Sequence, residues 1–342
     1  MNDMTNFTKI KDIGEFGLIR RIGELTSHSL PSGFTGIGDD CAIIPGSLGA
    51  QYAVSTDLLV EGVHFVKSEI GGRDLGYKSL AVNLSDLAAA GATPCGAFLS
   101  LALPEDTDVE FVDEFSKGFD EISKAYGCPL LGGDTTGSKS GIVVNVCVIG
   151  HRGKNATVSR SGSKPGDIIC VTGALGDSGA GLEYVLNPAL ERDEIAVELI
   201  KRHHRPVPRV EEGKFLAQRP EAHSMMDISD GVASDLPHIL ERSSVSAEVE
   251  LENLPVSDLL QNKYGSQPSK LYHYALHGGE DYELLLTVDS RYYADLSAGF
   301  EKKFGKPLCA IGRIVAGDEC KARYIENGFG MMPGGAPWSH FC

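Results

Sequence analysis

Seven aspartates of this chain stand in short contexts of Gly, Ser and Thr: Asp39 and Asp40 in G-I-G-D-D-C-A, Asp57 in V-S-T-D-L, Asp86 in N-L-S-D-L-A, Asp134 in L-G-G-D-T-T, and Asp227 and Asp230 in M-D-I-S-D-G. Aspartates that serve only solubility are usually mixed with Lys and Glu. These have almost no basic neighbours and follow short apolar runs, which places them at strand ends or helix starts facing a cleft. Carboxylates that share a cleft repel one another and need a cation. Hard oxygen donors of this kind suit Mg2+, which keeps waters and bridges to phosphate oxygens. The fold must therefore bring chain segments that are far apart in sequence to one acidic cleft.

A chain of 342 residues is long for one core, so two domains are expected. The 41 glycines point to many tight turns, or to backbone that approaches a ligand closely. A net charge of -16 argues against nucleic acid and anionic membranes as partners. It would also repel a bare nucleotide, so any bound ATP needs metal to balance the charge. The 8 cysteines form no C-x-x-C, and most lie in apolar runs, which reads as buried thiols in a reducing compartment. The first residues, M-N-D-M-T-N-F-T-K-I, contain no apolar signal region, and the apolar runs fall far short of the ~20 residues of a membrane span. A cytoplasmic location is expected.

Periodicity predicts helices over 14–26, 74–90 and 108–126, strands over 52–55, 96–102 and 142–151, and a turn at Gly132-Gly133. Residues 152–167 are polar and basic, and apolar periodicity stops there. The boundary between an N-terminal domain (1–151) and a C-terminal domain (152–342) is placed at this break. Beyond it, strands are predicted over 168–172, 225–228, 248–251, 283–288 and 308–314. A Gly-rich loop over 173–181 runs into a helix to 186, and further helices cover 206–216 and 229–242, the last capped by Ser229 or Asp230. Alternating strands and helices in both halves argue for α/β or α+β sandwiches.

Several familiar motifs fail. Gly71 and Gly76 have P-loop spacing, but Tyr77 intrudes before Lys78 and Ser79, so the lysine is out of register for phosphate. Gly36-Ile37-Gly38 begins a dinucleotide fingerprint, but Cys41 occupies the place of the third glycine. His203-His204, between Arg202 and Arg205, reads as a solvated helix end. The aspartate contexts survive. Asp86 lies at helical spacing from Val82, Asn83, Ala89 and Ala90 with no Lys or Arg, where a carboxylate needs a partner or a metal; an exposed or capping aspartate is the plainer alternative. Ser55-Thr56-Asp57 reads as an N-cap or a ligand set. Gly132-Gly133-Asp134 reads as a turn, or as backbone that approaches phosphate.

Seven segments, in order along nearly the whole chain, carry a resemblance: G-I-G-D-D-C-A (36–42), S-T-D-L-L-V-E-G-V-H-F (55–65), K-S-L-A-V-N-L-S-D-L-A-A-A-G-A (78–92), L-G-G-D-T-T-G (131–137), S-R-S-G-S-K-P-G-D (159–167), D-I-S-D-G-V-A-S-D-L (227–236) and G-G-E-D-Y-E-L (278–284). The chain resembles the thiamine-monophosphate kinases. The wider superfamily includes aminoimidazole ribonucleotide synthetase, formylglycinamidine ribonucleotide synthase, selenophosphate synthetase and a hydrogenase maturation factor. G-G-E-D-Y-E-L together with S-T-D…G-V-H-F favours the thiamine branch.

The resemblance implies a two-domain α/β (PurM-like) fold, with two subunits pairing their N-terminal sheets in a dimeric barrel. It implies direct, Mg2+-assisted transfer of the ATP γ-phosphoryl group to thiamine monophosphate, with several Mg2+ ions and no general base or nucleophile assigned. It carries metal-ligand roles onto Asp40, Ser55, Thr56, Asp57, Asp86, Asp134, Asp227 and Asp230. Nucleotide contacts fall on Gly133, Asp134, Arg160 and Ser229, and substrate contacts on His64, Glu280 and Trp338. The competing readings are another ATP-dependent ligase or synthetase of the same fold, and a Mg-nucleotide-binding regulator without turnover.

Overall fold

The computed structural model describes residues 9–26, 30–153, 156 and 158–331. Strands β1 (Ala42–Pro45), β2 (Gln51–Val60), β3 (Ala92–Leu103), β4 (Leu130–Gly137) and β5 (Val143–Arg152) form one open sheet in the order β1-β2-β5-β3-β4. Only β3 and β4 run parallel; the other pairs are antiparallel. Helices α1 (Ile10–Leu25), α2 (Gly72–Ala89) and α3 (Val109–Tyr126) belong to the same half. The run V-V-N-V-C-V-I-G-H-R in β5 alternates between buried and half-buried or exposed positions, as a strand with one covered face should.

The second sheet contains β6 (Ile168–Val171), β7 (Ala222–Asp227), β8 (Ser246–Glu250), β9 (Leu284–Val288), β10 (Cys309–Val315), β11 (Ala322–Glu326) and β12 (Phe329–Met331). Its order is β12-β11-β8-β10-β6-β9-β7. The helices of this half are α4 (Asp177–Leu186), α5 (Glu194–His204), α6 (Val210–Ala217), α7 (Val232–Ser243), α8 (Asp258–Tyr264), α9 (Pro268–His277) and α10 (Tyr293–Phe304). One apolar core joins the halves. It runs from Val144, Val146 and Val148 of β5 through Leu80, Leu84 and Leu87 of α2 to Leu216 of α6, Leu284 and Leu286 of β9, and Phe300 of α10. A second core, with Leu236, Ile239 and Leu240 of α7 and Ala275 and Leu276 of α9, covers the other face of the second sheet.

Helix α2 is the centre of this arrangement. It touches β2, β3 and β5 on one side and α3, α5, α6 and β7 on the others, so it is buried almost all round. Three glycines let α2 and α3 meet backbone to backbone. A Cβ at Gly72 would lie 2.3 Å from the Phe111 carbonyl oxygen, one at Gly76 would lie 1.9 Å from that of Phe115, and one at Gly118 would lie 1.7 Å from that of Arg73.

Several expectations change. Strand β2 does not stop at Ser55 but pairs with β5 as far as Val60, so Thr56 and Asp57 lie inside a strand. Gly132-Gly133-Asp134 is not a turn but part of β4. Gly133 is required there because a Cβ would sit 1.7 Å from the Leu99 carbonyl oxygen across the ladder. The last helix of the D-I-S-D-G segment begins at Val232 with Gly231 as N-cap, so neither Ser229 nor Asp230 caps it; the Asp235 carboxylate accepts the Asp230 N–H instead, at 3.1 Å. Helix α5, of which only the polar end at His203-His204 is expected from the sequence, spans Glu194–His204. Its buried face includes Ala196, Leu199, His203 and His204, so the histidine pair is inside, not solvated. No helix among the described residues is long and apolar enough to cross a membrane.

The α2–α3 crossing gives the first prediction. Gly76→Ala should lower stability by ~3 kcal/mol, because a backbone carbonyl blocks the new methyl and this outweighs the gain in helix propensity. Gly71→Ala, where nothing lies within 4 Å of the new atom, should change stability by under ~0.5 kcal/mol. Urea midpoints of the two variants check this.

Candidate functional site

A cavity of about 1950 Å3 opens between the two halves. Its floor is made by chain segments that the fold brings together from far apart. Asp40 comes from the segment before β1, Ser55 and Asp57 from β2, Asp86 from the last turns of α2, Arg160 from the stretch between β5 and β6, and Asp227 from the end of β7. Carboxylate oxygens of Asp40, Asp86 and Asp227 all lie within 4.8 Å of one another.

The length of β1 explains why β2 can contribute. Its ladder with β2 ends at the Ala42–Val54 pair, so Ser55, Thr56 and Asp57 lie on an edge that no strand covers among the described residues. The Asp57 N–H is taken instead by Asn83 Oδ1 of α2, at 3.0 Å. The Ser55 hydroxyl donates to Asp86 Oδ2. The Thr56 hydroxyl donates to the Val146 carbonyl at 3.1 Å and accepts from Asn145 Nδ2 at 2.9 Å.

The carboxylates are partly neutralised by neighbours. Arg160 donates from Nε at 3.1 Å and from Nη2 at 2.5 Å to Asp40 Oδ1. Asp40 Oδ2 is buried and has no hydrogen-bond partner. The Ser85 hydroxyl donates to Asp227 Oδ2 at 2.6 Å. Burial pushes Asp40 up to about 7, with Arg160 opposing the shift and Asp227 adding to it. Burial also raises Asp57 and Asp227 to about 6, and it raises Asp86 well above the usual carboxylate range, reinforced by Asp57, Asp227 and Asp40. Three converging carboxylates, one of which also has an orphaned buried oxygen, fit a divalent cation of the Mg2+ type.

The remaining sequence-derived residues divide into three groups. Thr56, His64, Ser229, Asp230 and Glu280 line the same cavity. His64 Nδ1 accepts from the Val60 N–H at 3.0 Å, which leaves the ring proton on Nε2. Gly133 and Asp134 do not line it: they are exposed on β4, and Asp134 sits in the lateral row of Leu58, Asn145 and Ser100. By the pleat, that row faces away from the side of the sheet to which Asp57 points. Trp338 lies outside the described residues. The Gly-rich loop before α4 is closed by a protein group, since Asp281 accepts from the N–H groups of Gly176 at 2.7 Å and Ser178 at 3.3 Å.

Two model families match the chain: "AIR synthase related protein, N-terminal domain" over residues 38–151, and "AIR synthase related protein, C-terminal domain" over residues 164–325. A thiamine-monophosphate kinase of Haemophilus influenzae is 40% identical over 321 residues, spanning 92% of this chain and 94% of the relative. That of Escherichia coli K12 is 42% identical over 306 residues, spanning 89% and 91%. The chain belongs to the thiamine-monophosphate kinase family. The solved structure "AaThiL complexed with AMPPCP and TMP" superposes with a TM-score of 0.83 at 33% identity, covering 98% of this chain and 100% of that one. The mixed α/β two-domain architecture is that of the kinase family.

Four site residues escaped sequence reasoning. Ser85 and Asn83 of α2 anchor Asp227 and the Asp57 backbone, and both lie in the same N-L-S-D run as Asp86. Lys78 and His203 are buried beside Glu280. A signal was present for both. Lys78 lies at helical spacing from Leu75 and Val82, and His203 lies four residues after Leu199, so each stood on an apolar face.

The raised carboxylates give a pH prediction for the ion-free protein. Asp57 is an acid whose folded pKa, about 6, lies above its ordinary 3.8. The folded state holds its proton more tightly, so the cost is absent at low pH, grows as pH rises through this window, and is constant above about 6. In EDTA, the melting midpoint of Asp57→Asn minus that of the wild type should therefore increase from pH 4 to pH 6 and then level off. A difference that does not change with pH would rule out that burial, reinforced by Asp40, raises this carboxyl.

Proposed function

We propose that this chain transfers the γ-phosphoryl group of ATP to thiamine monophosphate, giving ADP and thiamine diphosphate. The observation that carries the reading is the convergence of Asp40, Asp86 and Asp227 from both halves on the floor of one cavity, in a chain of this family. The Mg2+ set would be Asp40, Asp86 and Asp227, with Ser55, Thr56, Asp57 and Asp230; Asp134, which faces away from the cavity, is not part of it. When bound, Mg2+ would neutralise the repulsion between the two phosphate-bearing reactants.

The chain's own residues then have positioning roles. Phosphoryl transfer between preformed anions requires alignment and charge compensation more than a base, because the acceptor phosphate already carries its nucleophilic oxygen unprotonated. Arg160, whose fork lies on Asp40, is placed to exchange part of that contact for a nucleotide phosphate. Ser229 lines the same cavity. His64 and Glu280 also line the cavity and would hold the thiamine end. The walls, which include Val63, Phe65 and Tyr282, limit water access around the transferred group.

The purified chain, incubated with ATP, Mg2+ and thiamine monophosphate, should produce the new diphosphate resonances of thiamine diphosphate in phosphorus NMR. Asp86→Asn should lower the rate by at least about 100-fold while the far-UV spectrum is unchanged. Consumption of ATP without a thiamine product would overturn the reading.

We further propose that the chain acts as a homodimer through the uncovered face of the first sheet, with the domain junction at the polar stretch between β5 and β6. Tyr52, Leu58 and Phe98 expose 40%, 51% and 40% of their surface there, and every residue of β4 is exposed. That much apolar surface in one place favours a partner. Light scattering should report twice the chain mass for the wild type and a single chain mass for Phe98→Asp.

A further inference from the structure

We infer that Lys78 and His203 are positioning residues that fix the Glu280 carboxylate for the thiamine end of the substrate. The inference rests on the proposed contact between Glu280 and thiamine monophosphate, and goes beyond it by naming what makes Glu280 selective.

Lys78 projects from α2, and its side chain is fully buried. Its Nζ lies 3.1 Å from each of the two oxygens of Glu280 and 3.4 Å from His203 Nε2. His203, on α5, places Nδ1 3.1 Å from Glu280 Oε2 and 3.0 Å from the Ser178 hydroxyl. An ammonium group can only donate, so His203 Nε2 must accept and its ring proton must sit on Nδ1, where it is donated to the Ser178 hydroxyl with Glu280 close by. Burial, then the nearby Lys78 and His204, hold His203 neutral, in agreement with this tautomer. Lys78 therefore donates to the carboxylate from α2, and His203 of α5 packs against the same group.

The backbone is fixed as well. Gly279 has φ 63° and Glu280 φ 54°, a left-handed conformation that a non-glycine residue adopts at a cost. The Glu280 N–H donates to the Ser229 carbonyl at 2.7 Å, tying this turn to the segment that also carries Asp227 and Asp230. Such a conformation persists only where the surroundings determine it. The side chain keeps 22% exposure on the cavity wall, so its remaining lone pairs face the cavity. Lys78 thus has two effects. It offsets one negative charge in a cavity already crowded with aspartates, and it aims the carboxylate at an N–H or cationic group of the incoming substrate. Fixing an acceptor before binding reduces the ordering cost of association, and this appears in substrate affinity rather than in the transfer step.

The test is steady-state kinetics on the full chain for wild type, Lys78→Met, Glu280→Gln and the double variant. Lys78→Met should raise KM for thiamine monophosphate about tenfold. Its kcat and its KM for ATP should stay within about twofold. The double variant should match Glu280→Gln alone, because a residue that acts through Glu280 has nothing left to position. Should Lys78→Met fail to fold, His203→Asn carries the same expectation. Equal changes in both KM values and kcat, or additive losses in the double variant, would overturn the positioning role while leaving the Glu280 contact standing. An unchanged KM in Glu280→Gln would remove the contact and the inference together.

Discussion

Mutual repulsion among Asp40, Asp86 and Asp227 is the constraint around which the rest of the molecule is arranged. Three carboxylates whose oxygens approach within 4.8 Å would separate if they were free to do so. They are not free. Asp86 is built into a helix buried nearly all round, Asp227 ends a buried strand at the edge of the second sheet, and Asp40 is gripped by Arg160. Ser55 and Ser85 each donate one hydroxyl to the group, which lessens the clash without cancelling it. The apolar core that runs through both halves supplies the stability that this arrangement consumes. A site under such tension is pre-formed for cations, because binding one relieves strain rather than creating it.

Helix α2 is where folding and chemistry meet. One face carries Leu80, Leu84 and Leu87 into the shared core, while Gly72 and Gly76 admit α3 at backbone distance. Other positions carry Lys78, Asn83, Ser85 and Asp86, each with a partner in the cavity wall or floor. The first sheet holds β2 beside it, and the short β1 leaves the Ser55–Asp57 edge open toward it. The rest of the cavity is assembled against this rod.

Much of this could be read in the residues, and the failures have definite causes. The aspartate contexts announced an acidic cleft, because carboxylates without basic neighbours have few structural uses. Most of the elements foreseen follow from apolar periodicity within a few residues, β5 and α3 most clearly. Gly132-Gly133 misled because glycine pairs usually mark turns, whereas here close passage of β3 demanded the missing side chain. His203 misled because its neighbours Arg202 and Arg205 are charged; the deciding contact comes from Lys78, 125 residues away. The Lys78–Glu280 pairing spans 202 residues and leaves no local trace. Long-range polar pairing of this kind is set by tertiary packing, which spacing along a chain does not encode.

The glycine-lined crossing of α2 and α3 has a consequence for how the molecule tolerates change. Where backbone meets backbone at these glycines no side chain can yield, so a displacement of α3 is passed on to α2. Substitutions on the solvent side of α3 would then retune affinity for cations at a distance, by nudging four functional groups in unison. Drift in the cavity's properties between related sequences can therefore originate in positions that never touch a ligand.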